Sequence, residues 1–337
     1  MKNNQGTVLI IVLIILTGLA AIASRLSQFV LYDHALANLN KRTIQSKIFA
    51  ESGENLAVKL LRNNLSATSA ARKHTLEELT LIWQAIMDSF KSEDFSIQIV
   101  DENSFFPINN IFSSTDDTRK RALYHQQILK NILVNLMKQN GYAGTEENAY
   151  EMADEMLNSM LIWGGQIAPD AEELKKYLAL PVRCFPPERP FENPQELNLI
   201  AWPQTIDQTL IHNIINGTDN GKGLIDIVSV WSSGPMNIVF LEPVVVRSLY
   251  DGQNQAGDFL QQILLKRTSK ENLNESAWYR EIFESFAQNV PSQSIVSHSS
   301  RVFRFHIRVG AGNNNISMVS ICTIYDNYIK WKYKNIQ

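Results

Sequence analysis

Proline is missing from the chain until Pro107, although the whole sequence holds 11. No charged residue stands between Lys2 and Arg25. Cysteine is nearly absent: Cys184 and Cys322 are the 2 in 337 residues, and their spacing fits neither a zinc ligand set nor a redox pair. They read as two separate thiols, a bridge being the alternative in an oxidising compartment. The 6 histidines (His34, His74, His125, His212, His298, His306) are scattered and none forms H-E-x-x-H or another metal spacing. No G-x-S-x-G precedes a helix. Net charge is -3, with an isoelectric point near 6.1, which argues against the basic face of a nucleic-acid binder. These absences exclude a disulfide scaffold, a zinc module and the familiar hydrolase arrangements, and they leave no catalytic residue to name.

What is present begins at the amino terminus. A short polar leader with one charge, Lys2, ends in Gly6, and an apolar stretch follows from Thr7 to Ser24. About 18 such residues at 1.5 Å rise come close to the roughly 30 Å hydrocarbon core of a bilayer. Three readings fit the segment. It is a secretory signal cut after Ala21-Ile22-Ala23, an uncleaved anchor, or a prepilin-type leader cut between Gly6 and Thr7. The downstream pattern favours the third. Leu26, Phe29, Val30, Leu36, Leu39, Ile44, Ile48, Phe49, Leu56, Leu60 and Leu61 recur at spacings near three to four, with no proline between them. One helix is therefore expected from about Thr7 to about Leu65, half in lipid and half in water.

Further along, Thr75-Leu-Glu-Glu78 is a capping box for a helix to about Phe90. Phe95–Asp101 alternates as a half-buried strand does, and a helical pattern runs from Asp116 to about Asn216, broken by the proline-rich Pro181–Pro194. Strand character returns at Gly223–Trp231 and Met236–Phe240, and helical patches fill Val244–Phe286. Arg301–Val309, Ile316–Tyr325 and Tyr328–Tyr333 close the chain as an antiparallel meander. Strands on both sides of a helical block predict an α+β fold: a long N-terminal helix packed on an antiparallel sheet, with a large helical domain inserted between strands. The boundaries read are 1–6 leader, 7–24 membrane half of the helix, 25–112 first part of the sheet unit, 113–222 inserted helical domain, 223–241 further strands of the sheet unit, 242–295 second helical segment and 296–337 C-terminal strands. Gly217-Thr-Asp-Asn-Gly-Lys-Gly223 is one residue short of a phosphate loop and reads as a turn; Gly310-Ala-Gly-Asn is a hairpin turn.

Several segments, in this order, resemble the type II secretion minor pseudopilin K family. They are the leader ending in Gly6, Ile48-Phe-Ala-Glu-Ser-Gly-Glu54, Asp101-Glu-Asn-Ser-Phe-Phe-Pro-Ile-Asn-Asn-Ile111, Met160-Leu-Ile-Trp163, Pro186-Pro-Glu-Arg-Pro190, Gln195–Ile200 and Ser233–Ile238. The resemblance implies a pilin-like fold and a non-enzymatic role at the tip of a pseudopilus serving export across the outer membrane. It implies a single-pass protein of the bacterial inner membrane with its bulk in the periplasm. Implied partners are the I and J types of minor pseudopilin, the pseudopilus shaft, the inner-membrane assembly platform and prepilin peptidase, and no nucleic acid. Two positions depart from the family pattern. Gly164-Gly-Gln166 follow Trp163 where the family places acidic residues, which puts in doubt the calcium that the resemblance would otherwise bring. Thr7 is smaller than the usual first mature residue. Ile11 stands where most pilins carry glutamate, which suits a subunit with no earlier neighbour to neutralise. Phe29, Leu36, Leu39 and Ile44 are the candidate anchors for partner helices. A type IV minor pilin and a membrane-anchored enzyme with an unrecognised site are the alternative readings.

Overall fold

The computed structural model describes residues 4–71, 88, 95–112, 116–180, 184–219, 221–250, 255–267, 278–286, 288, 291–292, 294–298, 300–310, 316–325 and 328–336, with backbone only at 4–11, 60, 63–71 and 116–118. The expected helix over 75–90 therefore lies, except for Asp88, outside the described residues.

Helix α1 (Asn4–Ala71) is a single element of 68 residues, longer at both ends than the periodicity predicts. Without proline nothing breaks its ladder, and at 1.5 Å per residue it reaches about 100 Å. Thr17 inside the apolar stretch returns its hydroxyl to Leu13 O and Ile14 O at 2.9 Å, so this hydroxyl does not need water.

The chain then forms β1 (Phe95–Asp101), β2 (Phe106–Pro107), α2 (Asp116–Gln139), α3 (Glu146–Trp163), α4 (Ala171–Ala179), α5 (Gln208–Asn216), α6 (Leu224–Ile227), β3 (Val228–Ser229) and β4 (Met236–Asn237). It continues with α7 (Pro243–Ser248), α8 (Ala256–Lys266), α9 (Trp278–Ser285), β5 (Val296–Ser297), β6 (Val302–Val309), β7 (Ile316–Ile324) and β8 (Ile329–Ile336). Four strands make the main antiparallel sheet in the order β1-β6-β7-β8. β1 meets β6 from Phe95↔Val309 to Asp101↔Phe303, so everything between Asp101 and Val302 is inserted at one end of a strand pair.

Two cores follow from this. Ala50, Ala57, Val58 and Leu61 of α1 pack on Ile97, Ile99, Phe303, Phe305, Ile307, Met318 and Cys322. A larger core joins α2, α3, α5, α7, α8 and α9 around residues such as Leu129, Met156, Phe259 and Phe283. Residues 223–241 correct the sequence reading. They form the short helix α6 and two two-residue strands, not strands of the main sheet. β3 pairs in parallel with β2, and β4 with β5, while Val228, Met236 and Ile238 are buried in the helical core. Such runs of apolar residues are compatible with any buried segment, and periodicity does not distinguish them.

Ala50, Gly53 and Ala57 stand where α1 first meets the sheet, because a helix backbone approaches a sheet closely only where little projects. A Cβ on Gly53 would collide with the Phe95 ring and stand 3.2 Å from Ile97 Cδ1. Gly53→Leu is expected to lift α1 off β1 and lower stability by about 1–3 kcal/mol. Chemical denaturation of the purified protein measures this, and an unchanged midpoint would mean the contact is slack.

Candidate interaction surface

Several sequence features resolve into plain structure. The Gly217–Gly223 segment is a turn: Thr218 and Gly221 exchange backbone hydrogen bonds at 2.9 and 3.0 Å, and Lys222 is paired with Glu242. Cys184 and Cys322 are both free, one beside the helical core and the other in the sheet core, where burial pushes the Cys322 thiol up to about 12. Among the described residues no group of three His, Cys, Asp or Glu is placed to hold a metal. Gly164 caps α3 and lies so close to the Phe112 ring that a side chain there would clash with it, so this position cannot carry the acidic residue of the family pattern.

The buried polar chemistry is concentrated where the helical body joins the sheet. β1 ends in Asp101-Glu102-Asn103. The Asp101 carboxylate accepts from Asn103 N at 2.9 Å and from the Ser300 hydroxyl, which in turn accepts from Asn237 Nδ2 at 2.7 Å. Asn103 Oδ1 accepts from Arg301 N and Val302 N at 3.0 and 2.9 Å, and its amide donates to Ser232 Oγ and Pro235 O at 3.2 and 2.8 Å. Glu102 accepts from the Ser229 hydroxyl and pairs with Arg304 Nε at 2.8 Å, while the Arg304 guanidinium lies 4.7 Å over the Trp231 ring. These groups clamp β1 and the start of β6 to the loop before β4. They build a joint between the helical body and the sheet.

Burial raises the Asp101 carboxyl to about 7, against the Ser300 and Asn103 hydrogen bonds that lower it. Between about pH 4 and 7 the folded chain keeps this proton and the unfolded chain has lost it, so this group makes stability fall as pH rises. His125 opposes it. Burial depresses its ring to about 4, with Nδ1 donating to Arg121 O at 2.8 Å, so its contribution is lost as pH falls from the ordinary histidine range toward 4. Asp101→Asn is expected to remove the first slope. The stability difference between variant and parent should then move in the variant's favour from pH 4 to 7, by at most about 1.4 kcal/mol per pH unit. Denaturant titrations across that range check it, and a pH-independent difference contradicts it.

The surface that remains is α1 itself. Its stretch from Val12 is apolar enough to cross a membrane, with a mean hydropathy of 1.7 in the best window and none of that window buried. Gly6, Thr7 and Ile11 lie on its first turns; nothing beyond their backbone is described. Phe29, Leu36, Leu39 and Ile44 are 67, 46, 48 and 60% exposed. At about 100° per residue, Phe29, Leu36 and Leu39 lie on the same side of α1 as the sheet-packed Ala50, Glu54, Ala57 and Leu61, but on turns above the sheet. Ile48, Phe49 and Leu56 point away from the sheet and are exposed as well. The single periodic stripe of the sequence is thus two surfaces, one above the sheet and one behind it, with Ile44 between them. Large apolar side chains left uncovered over this length mark a place for other chains.

No family model matches the chain, and no curated protein matches it by sequence. A solved structure shares its fold. A chain in the crystal structure of the GspK-GspI-GspJ complex from the enterotoxigenic Escherichia coli Type 2 Secretion System superposes with a TM-score of 0.53 at 15% identity. The match covers 88% of this chain and 98% of that one, so it takes in the helical body as well as the sheet.

Proposed function

We propose that this chain is a non-enzymatic minor pseudopilin at the tip of a type II secretion pseudopilus. It assembles through α1 with I- and J-type minor pseudopilins above the pseudopilus shaft. The observation that carries the reading is the shared fold over 88% of the chain, helical insertion included, with a member of a complex of that kind. Two physical arguments support it. A helical body of this size beside the sheet would obstruct regular packing anywhere but an end. Ile11 removes a carboxylate that would stand unpaired in lipid on the first subunit, at a cost of at least about 2.5–3.5 kcal/mol.

The chain is placed in the inner membrane by residues 7–24, with its bulk in the periplasm, because Lys2 biases the leader inward. Prepilin peptidase is expected to cut between Gly6 and Thr7. Intact mass and N-terminal sequencing of the membrane-extracted protein test this: a chain beginning at Thr7 is expected, and one beginning at Ser24 would replace the pilin reading with an ordinary secretory signal. Co-purification with I- and J-type pseudopilins tests the assembly role. Recovery only with type IV pilus subunits would move the chain to that machine.

A further inference from the structure

β-Strand alternation gives the main sheet a second face. Phe303, Phe305 and Ile307 of β6 pack toward α1, so Arg304, His306 and Arg308 project from the opposite side. On β8, Lys330 stands across from Thr323 on that same side, and the irregularity at Ile321/Cys322 leaves Lys332 as the extra residue between Trp331 and Tyr333. Lys332 Nζ reaches Trp231 O at 2.9 Å, beside the Arg304 guanidinium. The result is a diagonal basic stripe, Arg308–His306–Arg304–Lys332–Lys330, on a chain whose net charge is -3.

The groups lie close enough to repel one another. Apart from burial, Arg304 and Arg308 depress the His306 ring, and Lys330 depresses the Lys332 ammonium. The described strands present no Asp or Glu on this face. Glu102, buried beneath the stripe, is bonded to Arg304. Arg308 and Lys330 are exposed and have no ion pair among the described residues.

We infer that this face is a second docking surface, and that its occupant is the acidic surface of another protein. Arg308 and Lys330, exposed and without an ion pair among the described residues, are stabilised by an anionic partner, which they also steer and orient. Lipid headgroups are out of reach. From Arg25, where the apolar stretch ends, α1 rises about 37 Å to Ala50, the first turn packed on the sheet. Charges are screened within about 8–10 Å at ordinary salt. This step rests on residues 7–24 being the membrane span. The occupant is also distinct from the partners along α1, because the sheet stands between α1 and the stripe.

The test uses the full chain in detergent micelles and a fluorescent Glu-Ser repeat peptide as probe, read by anisotropy at low and physiological salt. Vesicles containing phosphatidylglycerol and a short DNA duplex are the comparison anions. The peptide is expected to bind, and Arg308→Glu with Lys330→Glu to weaken it by ~10-fold or more. The same charge change at Lys59 and Lys120, also exposed but off this face, should alter binding by less than ~2-fold. Arg308→Gln with Lys330→Gln, which adds no negative charge, should give a smaller loss in the same direction. Absence of binding, an equal loss from the two charge-reversed pairs, or preference for vesicles or duplex would overturn the inference. Assembly with the I- and J-type partners, measured on the same variants, should persist. Loss of that assembly alone would count against the proposed function and leave the basic face intact.

Discussion

Leu36→Glu combined with Leu39→Glu is expected to abolish assembly with partner pseudopilins while leaving the fold untouched. Both side chains are about half exposed in the free chain, and among the described residues no sheet or helical body lies over their turns. Folding therefore gains little from them, and their loss should not move the unfolding midpoint. In a complex they would be covered by a neighbouring helix, each contributing roughly 1.5–3 kcal/mol by burial. Glutamate forfeits that and adds the cost of desolvating a charge against an apolar partner. A combined loss of about 3–6 kcal/mol is at least a ~100-fold weaker complex. Co-purification and sedimentation of the soluble part from Arg25 onward measure it. Unchanged association would place the contact behind the sheet, at Ile48, Phe49 and Leu56, and a chain that polymerises with itself would remove the tip assignment.

Asn103→Ala should be strongly destabilising, at about 3–5 kcal/mol. One amide serves four partners: it accepts from Arg301 N and Val302 N, and donates to Ser232 Oγ and Pro235 O. Alanine fills the space of the Cβ and satisfies none of them, so two backbone donors at the start of β6 lose their acceptor. Because those partners belong to the two bodies that the joint connects, the damage should be directional. Amide exchange is expected to accelerate around 230–236 and 300–303 before it does so in the middle of α2 or β7. A loss below about 1 kcal/mol, or uniform loosening of the whole chain, would mean that the joint is held by the apolar contacts beside it.

The sequence by itself determined the elements whose physics is local. α1 is legible because an unbroken run without proline, carrying apolar residues at helical spacing, has one stable conformation. The helices over 116–139, 146–163 and 256–266 are legible through the same periodicity, and β1, β6 and β7 through alternation. The membrane-crossing stretch is legible as hydropathy alone. What only the tertiary structure decided depends on residues distant in the chain. β1 finds β6 across the whole helical insertion, and no local pattern encodes that register. The close approach of α1 to the sheet was allowed by smallness at Ala50, Gly53 and Ala57, while Ile48, Phe49 and Leu56 of the periodic series point away. Periodicity counts apolar side chains, whereas close packing of a helix on a sheet depends on the space they leave. A run of polar residues such as Asp101-Glu102-Asn103 usually forms a solvated turn. Their burial became affordable only when Ser229, Ser300, Asn237 and Arg304 arrived from remote positions to satisfy them. The basic stripe has the same origin: its members alternate with core residues in the sequence, and only the pairing of β6, β7 and β8 lines them up on one face.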